Sequence, residues 1–431
     1  MPLPGSLLPK VLIAVFTIAV FYQLPLFSTA PHIADPSPTK LSNIPEGSWF
    51  RDAIKTHQAE DNDEESSALA NSISGTTSDL VTKTSISADA SAAPSSSNTT
   101  TASILSEYNR TFISYGTTQC LPHFDDHMKQ SAIARNESCT KHTPFTPEET
   151  RRVAFASITT GQPAEAYQRA IQSQMFHSAV HGTSTHILCE QLSDGAWNKI
   201  AFLLNLVMNE MLKPEDERLE WVMWIDRDAI VLDSCRPLSA FVPPATKDYE
   251  TVNLIINNDG LGLNAGVFMF RVNEWSISLF NTILAYRYFR PDEELVLAEQ
   301  TAMEKIINEE KWKDGVARVP WYWFNAYPDE NESVEKYRDG LEPEDLEWFR
   351  ARKGDFIVHF AGDDGRSGRM PEWLNMLGEV GNVWEKGETK RDITVEIQKY
   401  WRSWESGTLT DAQISGEPQN DGHVNQREEE G

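Results

Sequence analysis

Between residues 152 and 360, short apolar runs alternate with longer segments of helical character. The runs are residues 152–158 (RVAFASI), 185–190 (THILCE), 220–225 (EWVMWI), 251–257 (TVNLIIN), 266–271 (GVFMFR) and 355–360 (DFIVHF). Each has the length and apolar content of a buried strand. The first ends in Thr159-Thr160-Gly161, a turn signal. Residues 164–181, 197–212, 274–289 and 293–310 read as helices, with Ala166, Ala170, Met175 and Ala179 on one side of the first. This alternation predicts an α/β fold, a mainly parallel sheet covered by helices on both faces. Ligands of such sheets bind at the carboxyl ends of the strands.

The flanks read differently. Residues 11–27 (VLIAVFTIAVFYQLPLF) carry no charge and follow Lys10. The run is at the short end of the about 17 to 25 residues that span a bilayer. It exceeds the usual core of a cleaved signal peptide, which favours a signal anchor, although Ser28-Thr29-Ala30 offers a cleavage site. Either way the rest of the chain faces a lumen or the outside. Ser, Thr, Ala, Asp and Pro dominate residues 31–145, too polar a mixture to repay its ordering entropy, so this stretch reads as a flexible stem. Asn98, Asn109, Asn136 and Asn331 head glycosylation sequons. The expected divisions are residues 1–30 for tail and anchor, 31–145 for the stem, 146–404 for the folded domain and 405–431 for a disordered acidic tail. Four cysteines are present, Cys120, Cys139, Cys189 and Cys235, with no CxxC pair. A local Cys120–Cys139 bridge and four buried thiols are both open readings.

The formal net charge is -26, which makes nucleic-acid binding a poor expectation. A nucleotide ligand then needs a cation or a local basic cluster beside its phosphates. Residues 221–233 (WVMWIDRDAIVLD) supply a place for one. Asp226 and Asp228 follow an apolar strand and, with a period of two, point to one side. Adjacent carboxylates repel unless a hard divalent ion with oxygen ligands, Mg²⁺ or Mn²⁺, lies between them. His359 ends the run DFIVHF, where a neutral imidazole is a possible third ligand or a core histidine bonded to a backbone carbonyl. The loop after it carries Arg366 and Arg369, planar donors suited to a diphosphate or to an ordinary surface. The aromatic residues Trp321, Tyr322, Trp323, Phe324 and Trp373 suit packing better than a glycan platform.

Five segments resemble glycosyltransferase family 34, which holds fungal Golgi galactosyl- and mannosyltransferases and plant xyloglucan xylosyltransferases. They are Ala196-Trp197-Asn198-Lys199, Trp224-Ile225-Asp226-Arg227-Asp228-Ala229, Leu263-Asn264-Ala265-Gly266 with Arg271 and Trp275, Glu299-Gln300-Thr301-Ala302-Met303, and His359-Phe360-Ala361-Gly362. The resemblance covers residues 151–370. It implies a GT-A fold, a divalent metal, usually Mn²⁺, and a retaining transfer of a hexose, galactose or mannose, from UDP-galactose or GDP-mannose to a mannose-containing glycan. It also implies a single-pass type II Golgi membrane protein, able to assemble with other Golgi transferases. By position, Asp226, Asp228 and His359 hold the metal, with Asp226 also at the donor. Lys199 and Gln300 lie near the transferred sugar, with Gln300 and Asp226 as catalytic groups. Thr159, Gly161, Asn264, Gly266 and Arg366 line the donor site. Two departures stand out: Arg227 replaces a small residue, and Asp363 follows HFAG. Asp259 and Glu299 are the carboxylates to exclude as nucleophiles. A glycoside hydrolase and a lectin-like homologue with a decayed site are the rival classes.

Overall fold

The apolar run that precedes the acidic triplet is a central strand, buried on both sides. The computed structural model describes residues 111–116, 120–145, 151–160, 164–329, 334–343, 345–362 and 366–417, all within the unit formed by residues 49–431. In chain order the strands are β1 (Phe112–Tyr115), β2 (Val153–Ile158), β3 (Ser184–Leu188), β4 (Trp221–Ile225), β5 (Ala229–Val231), β6 (Leu254–Asp259), β7 (Gly262–Arg271), β8 (Val316–Arg318) and β9 (Ile357–His359). The helices are α1 (Asp126–His142), α2 (Glu165–His181), α3 (Trp197–Met211), α4 (Glu274–Phe289), α5 (Ala298–Ile307), α6 (Val334–Asp339), α7 (Arg366–Val380), α8 (Thr394–Ser406) and α9 (Asp411–Ser415).

Seven strands form the main sheet in the order β1-β3-β2-β4-β7-β6-β8. All run parallel except β7, which is antiparallel to both neighbours. The expected mixed α/β architecture with a mainly parallel sheet is therefore present. The exception has a local cause. β6 and β7 are joined by a tight turn that pairs Asp259 with Gly262, and so short a link permits only antiparallel pairing. Gly262 takes a φ of 113° there, open to glycine at little cost.

Period two explains why β4 reads as continuously apolar. Val222 and Trp224 join the cluster that includes Phe202, Leu206, Phe268 and Phe280. Trp221, Met223 and Ile225 join the opposite one, with Phe155, Met269, Trp323 and Trp401. Both faces of the sheet are thus covered, the first by α3, α4 and α5, the second by α8 and the turn around Trp323. Trp321, Trp323, Phe324 and Trp373 are buried, in keeping with their reading as packing.

Several boundaries move. The stem was expected to reach residue 145, yet β1 is an edge strand of the main sheet and α1 packs on α2. Two disulfides tie this segment down, Cys120–Cys189 and Cys139–Cys235, with Cα separations of 5.4 and 5.2 Å. Both earlier readings of the cysteines are corrected: no Cys120–Cys139 bridge forms, and there are no free thiols. Cys139 faces inward from α1 towards Cys235, whereas Cys120 lies beside β3, so each finds a partner distant in sequence. The domain also extends past residue 404. Tyr400 and Trp401 of α8 are buried in the core, and α9 carries a Thr410–Gln413 capping box. The strand expected from 251 begins at Leu254, and the helix expected over 293–310 is confined to α5. Asn136 lies in α1 with its amide donating to the Val180 carbonyl at 2.7 Å. Among the described residues no helix is long and apolar enough to cross a membrane. The expected anchor, residues 11–27, lies outside them, as do residues 31–110 and the sequons at Asn98, Asn109 and Asn331.

Candidate active site

Asp226 is the first residue beyond β4, and its backbone N–H donates to the Gly266 carbonyl at 2.8 Å. The chain turns within three residues, Ala229 N–H donating to Asp226 O, and returns as β5. There β5 meets β9 in a separate two-stranded antiparallel ladder, with Ala229 opposite His359. That register brings Asp228 beside His359. The His359 Nε2 atom is 3.3 Å from Asp228 Oδ1. One ligand atom from each of Asp226, Asp228 and His359 falls within 4.8 Å of the others.

Close packing of β7 makes this possible. A Cβ at Gly266 would overlap the His359 ring and sit 3.0 Å from Asn264 Oδ1. Only glycine lets the imidazole approach the strand so closely. His359 Nδ1 hydrogen-bonds to Asn325 Oδ1 at 2.7 Å, so its partner is a side-chain amide and not a backbone carbonyl. The two ring nitrogens thus face different groups, and Nε2 points to the carboxylates. Two carboxylates and an imidazole form a fitting donor set for Mn²⁺ or Mg²⁺.

Lys199, in the first turn of α3, reaches into the same region. Its Nζ lies 3.4 Å from Asp226 Oδ1 and 3.1 Å from Glu299 Oε1, and donates to the Ala265 carbonyl at 3.1 Å. Burial works against its charge, but the Asp226 and Glu299 carboxylates outweigh it and hold its pKa above the usual lysine value. The Trp224 indole N–H donates to Asp226 Oδ1 at 2.6 Å. Glu299 and Gln300 lie in the first turn of α5, directly after its first residue, Ala298, whose φ of 43° is the one positive value at a non-glycine position among the described residues. The strain sits where the helix must aim both side chains at the sheet edge. Gln300 Oε1 accepts from Ala265 N–H at 2.9 Å, so one lone pair of the oxygen expected to face a sugar is engaged.

Other expected residues play more structural parts. Asn264 accepts from Gly266 N–H at 2.9 Å and donates to Asp259 Oδ2 and the Tyr327 hydroxyl at 2.8 and 2.6 Å. Thr159 lies at the end of β2, on the same sheet edge, with its hydroxyl accepting from Gln168 at 3.3 Å. Gly161 and the Arg366 side chain lie outside the described residues, and Arg369 donates to the Asp329 carbonyl. Arg227 stacks on the Tyr167 ring, 4.7 Å away. The residues after β4 form a turn and not the extended chain expected, and it is this turn that sets Asp226 and Asp228 near His359 while Arg227 goes to α2.

Sequence reasoning passed over Asn257, Asn325 and Tyr327. The signals were faint: Asn325 breaks the aromatic run WYWFNAY and Asn257 ends TVNLIIN. Asp259 and Glu299, singled out as possible nucleophiles, are both held. Asp259 accepts from Leu261 N–H on Oδ1 and from Asn264 and Tyr327 on Oδ2. Burial, and then the Asp259 charge, push the Tyr327 phenol well above its ordinary range, so it remains a donor.

Comparison with known proteins adds the class. A model of the galactosyl transferase GMA12/MNN10 family matches residues 237–367. That segment holds Asn264, Gly266, Gln300 and His359; Asp226, Asp228 and Lys199 precede it. Xyloglucan 6-xylosyltransferase 4 of Arabidopsis thaliana is 26% identical over 231 residues, covering 45% of this chain and 40% of that protein. Galactomannan galactosyltransferase 1 of Cyamopsis tetragonoloba is 28% identical over 144 residues, 27% of this chain and 31% of that one. The chain spans less than half the length of these relatives. A solved structure of a glycosyltransferase involved in glycosylation of the major capsid of PBCV-1 aligns over 52% of this chain and 98% of its own, with a TM-score of 0.36 and 14% identity. The class to which the chain is similar is the glycosyltransferases. Within that class, the resemblance to family 34 carried by the five segments is borne out.

Proposed function

We propose that this chain is a retaining, metal-dependent glycosyltransferase that moves a hexose from a nucleotide sugar to a mannose-containing glycan in the Golgi lumen. The observation that carries the reading is the convergence of Asp226, Asp228 and His359 at the end of β4, beside Lys199 and Gln300. Asp228 and His359, with Asp226, would hold Mn²⁺ or Mg²⁺. Such an ion supplies charge neutralisation for the departing diphosphate. Asp226 also faces the donor, and the Lys199 ammonium keeps that carboxylate in place. Gln300 lies alongside, an amide able to steady a cationic sugar with its remaining lone pair. With Asp259 and Glu299 both occupied, same-face attack by the acceptor is favoured, the leaving phosphate taking the proton. Galactose is the first donor to test, because the matching family description and one relative are named for galactosyl transfer. The Golgi type II placement rests on the apolar residues 11–27 and the Ser/Thr-rich composition after them.

The test is calorimetry on the full chain with UDP-galactose, GDP-mannose and UDP-xylose, each with Mn²⁺ and with EDTA. Nucleotide binding that needs Mn²⁺ and is lost in Asp228→Asn is the expected result. Failure to bind any nucleotide under either condition would sink the reading.

A further inference from the structure

Behind His359 lie two asparagines, Asn257 of β6 and Asn325, both with no exposed surface. Buried amides of this kind need partners, and here the partners impose a direction. The Val267 carbonyl can only accept, so Asn257 presents its Nδ2 to it, at 3.3 Å. Asn257 Oδ1 then faces the next residue and accepts from Asn325 Nδ2 at 2.8 Å. Asn325 must therefore turn its oxygen to His359, where Oδ1 and Nδ1 are 2.7 Å apart. An oxygen there demands the ring proton on Nδ1. Nε2 is left 3.3 Å from Asp228 Oδ1, so that in the neutral ring two electron-pair donors converge where a cation would join them.

We propose that Asn325 and Asn257 are positioning residues for a divalent cation. They form an amide relay, anchored on the Val267 carbonyl, that decides which ring nitrogen of His359 offers its lone pair beside Asp228. The relay deepens the metal-site reading above and rests on it. A ligating histidine whose second nitrogen is held in this way is both oriented and locked in one tautomer. Asn257 is linked to the ring through the Asn325 amide.

The experiment uses the full chain labelled with ¹⁵N-histidine, free of metal, and reads the ring nitrogens of His359 by NMR. The signal is assigned by its loss in His359→Gln. A parallel Mn²⁺ titration is followed by electron paramagnetic resonance. In the wild type Nδ1 should carry a proton. Asn257→Leu frees the Asn325 amide to turn, so the Nδ1-protonated form should lose population. Asn257→Leu and Asn325→Leu should weaken Mn²⁺ binding about tenfold or more, while Asn325→Asp, which keeps an acceptor at Nδ1, should stay within about threefold of wild type. A wild-type ring with no proton on Nδ1 overturns the relay without any variant. So do leucine variants, folded by thermal denaturation, that bind Mn²⁺ as the wild type does with an unchanged ring signal. A wild type that binds no Mn²⁺ fails the metal reading itself, whereas equal binding by wild type and variants fails the relay alone.

Discussion

At the scale of single residues, Gly266 and Lys199 each answer to a neighbour that sequence distance hides. A methyl group at Gly266 must displace the His359 ring, since the ring and Asn264 Oδ1 fill that space. Gly266→Ala is expected to cost about 1–3 kcal/mol of stability through overpacking and to lower Mn²⁺ affinity about tenfold. Mn²⁺ titration of the purified variant checks this, and unchanged affinity would show that His359 has room to move. Lys199 is the buried counter-charge of Glu299, 3.1 Å away. Lys199→Met leaves that carboxylate buried and alone, which is expected to cost about 3–5 kcal/mol. The double variant Lys199→Met with Glu299→Gln should recover much of the loss in a denaturant titration. A double variant no more stable than the single one would mean that the pair is not what the lysine stabilises.

At the scale of elements, the folded domain is bounded by its disulfides and its last helices. A fragment of residues 146–404 omits β1, α1, Cys120 and Cys139, and cuts α8 short. It bares the edge of β3, to which β1 pairs from Phe112↔Thr185 to Tyr115↔Leu188. It also loses two cross-links that close loops of 69 and 96 residues, each worth about 2–4 kcal/mol. Residues 111–417 are therefore expected to give a soluble monomer where 146–404 aggregates, as read by size-exclusion chromatography. Equal behaviour of the two fragments would show that β1 and α1 are dispensable. The bilayer-length apolar run and the polar stem are separate matters of composition and lie before this domain.

At the scale of the whole molecule, buried histidines couple folding to pH. Burial lowers the pKa of His186 to about 4, against an ordinary value of 6.5; the Glu210 charge raises it and the Lys213 charge lowers it, both by less. Its ring bonds to the Tyr115 hydroxyl at 2.8 Å and to Ser184 Oγ at 2.9 Å, between β1 and β3. The unfolded chain takes up a proton on this ring below about pH 6.5, whereas the folded chain does so only near pH 4. Its contribution to stability is complete above the unfolded value and is lost as pH falls from 6.5 towards 4. Burial has the same effect on His181, also to about 4, while Asp355, pushed up to about 6 by burial, acts in the opposite sense over the same range. Replacing one group isolates its share. His186→Gln should lose about 2 kcal/mol less stability than wild type between about pH 6.5 and about pH 4.5. Equal losses of unfolding free energy in wild type and variant, from urea titrations at the two pH values, would show that His186 is not buried between β1 and β3.

What the sequence by itself determined is what local periodicity can encode. The two-faced burial of β4, the carboxylates at its end, and the helices carrying Lys199 and Gln300 all follow from apolar spacing and strand termini. His359 was legible in the same way, as a polar residue closing an apolar run. The tertiary structure alone decided which distant groups meet. The β5–β9 register set His359 against Asp228, the tight β6–β7 turn reversed one strand, and the disulfides joined residues far apart in the chain. Tyr327, Asn257 and Asn325 were opaque for the same reason. A buried polar side chain is stabilised by whichever partner the fold brings within hydrogen-bond reach, and that partner is chosen by strand register and helix placement over long sequence distances.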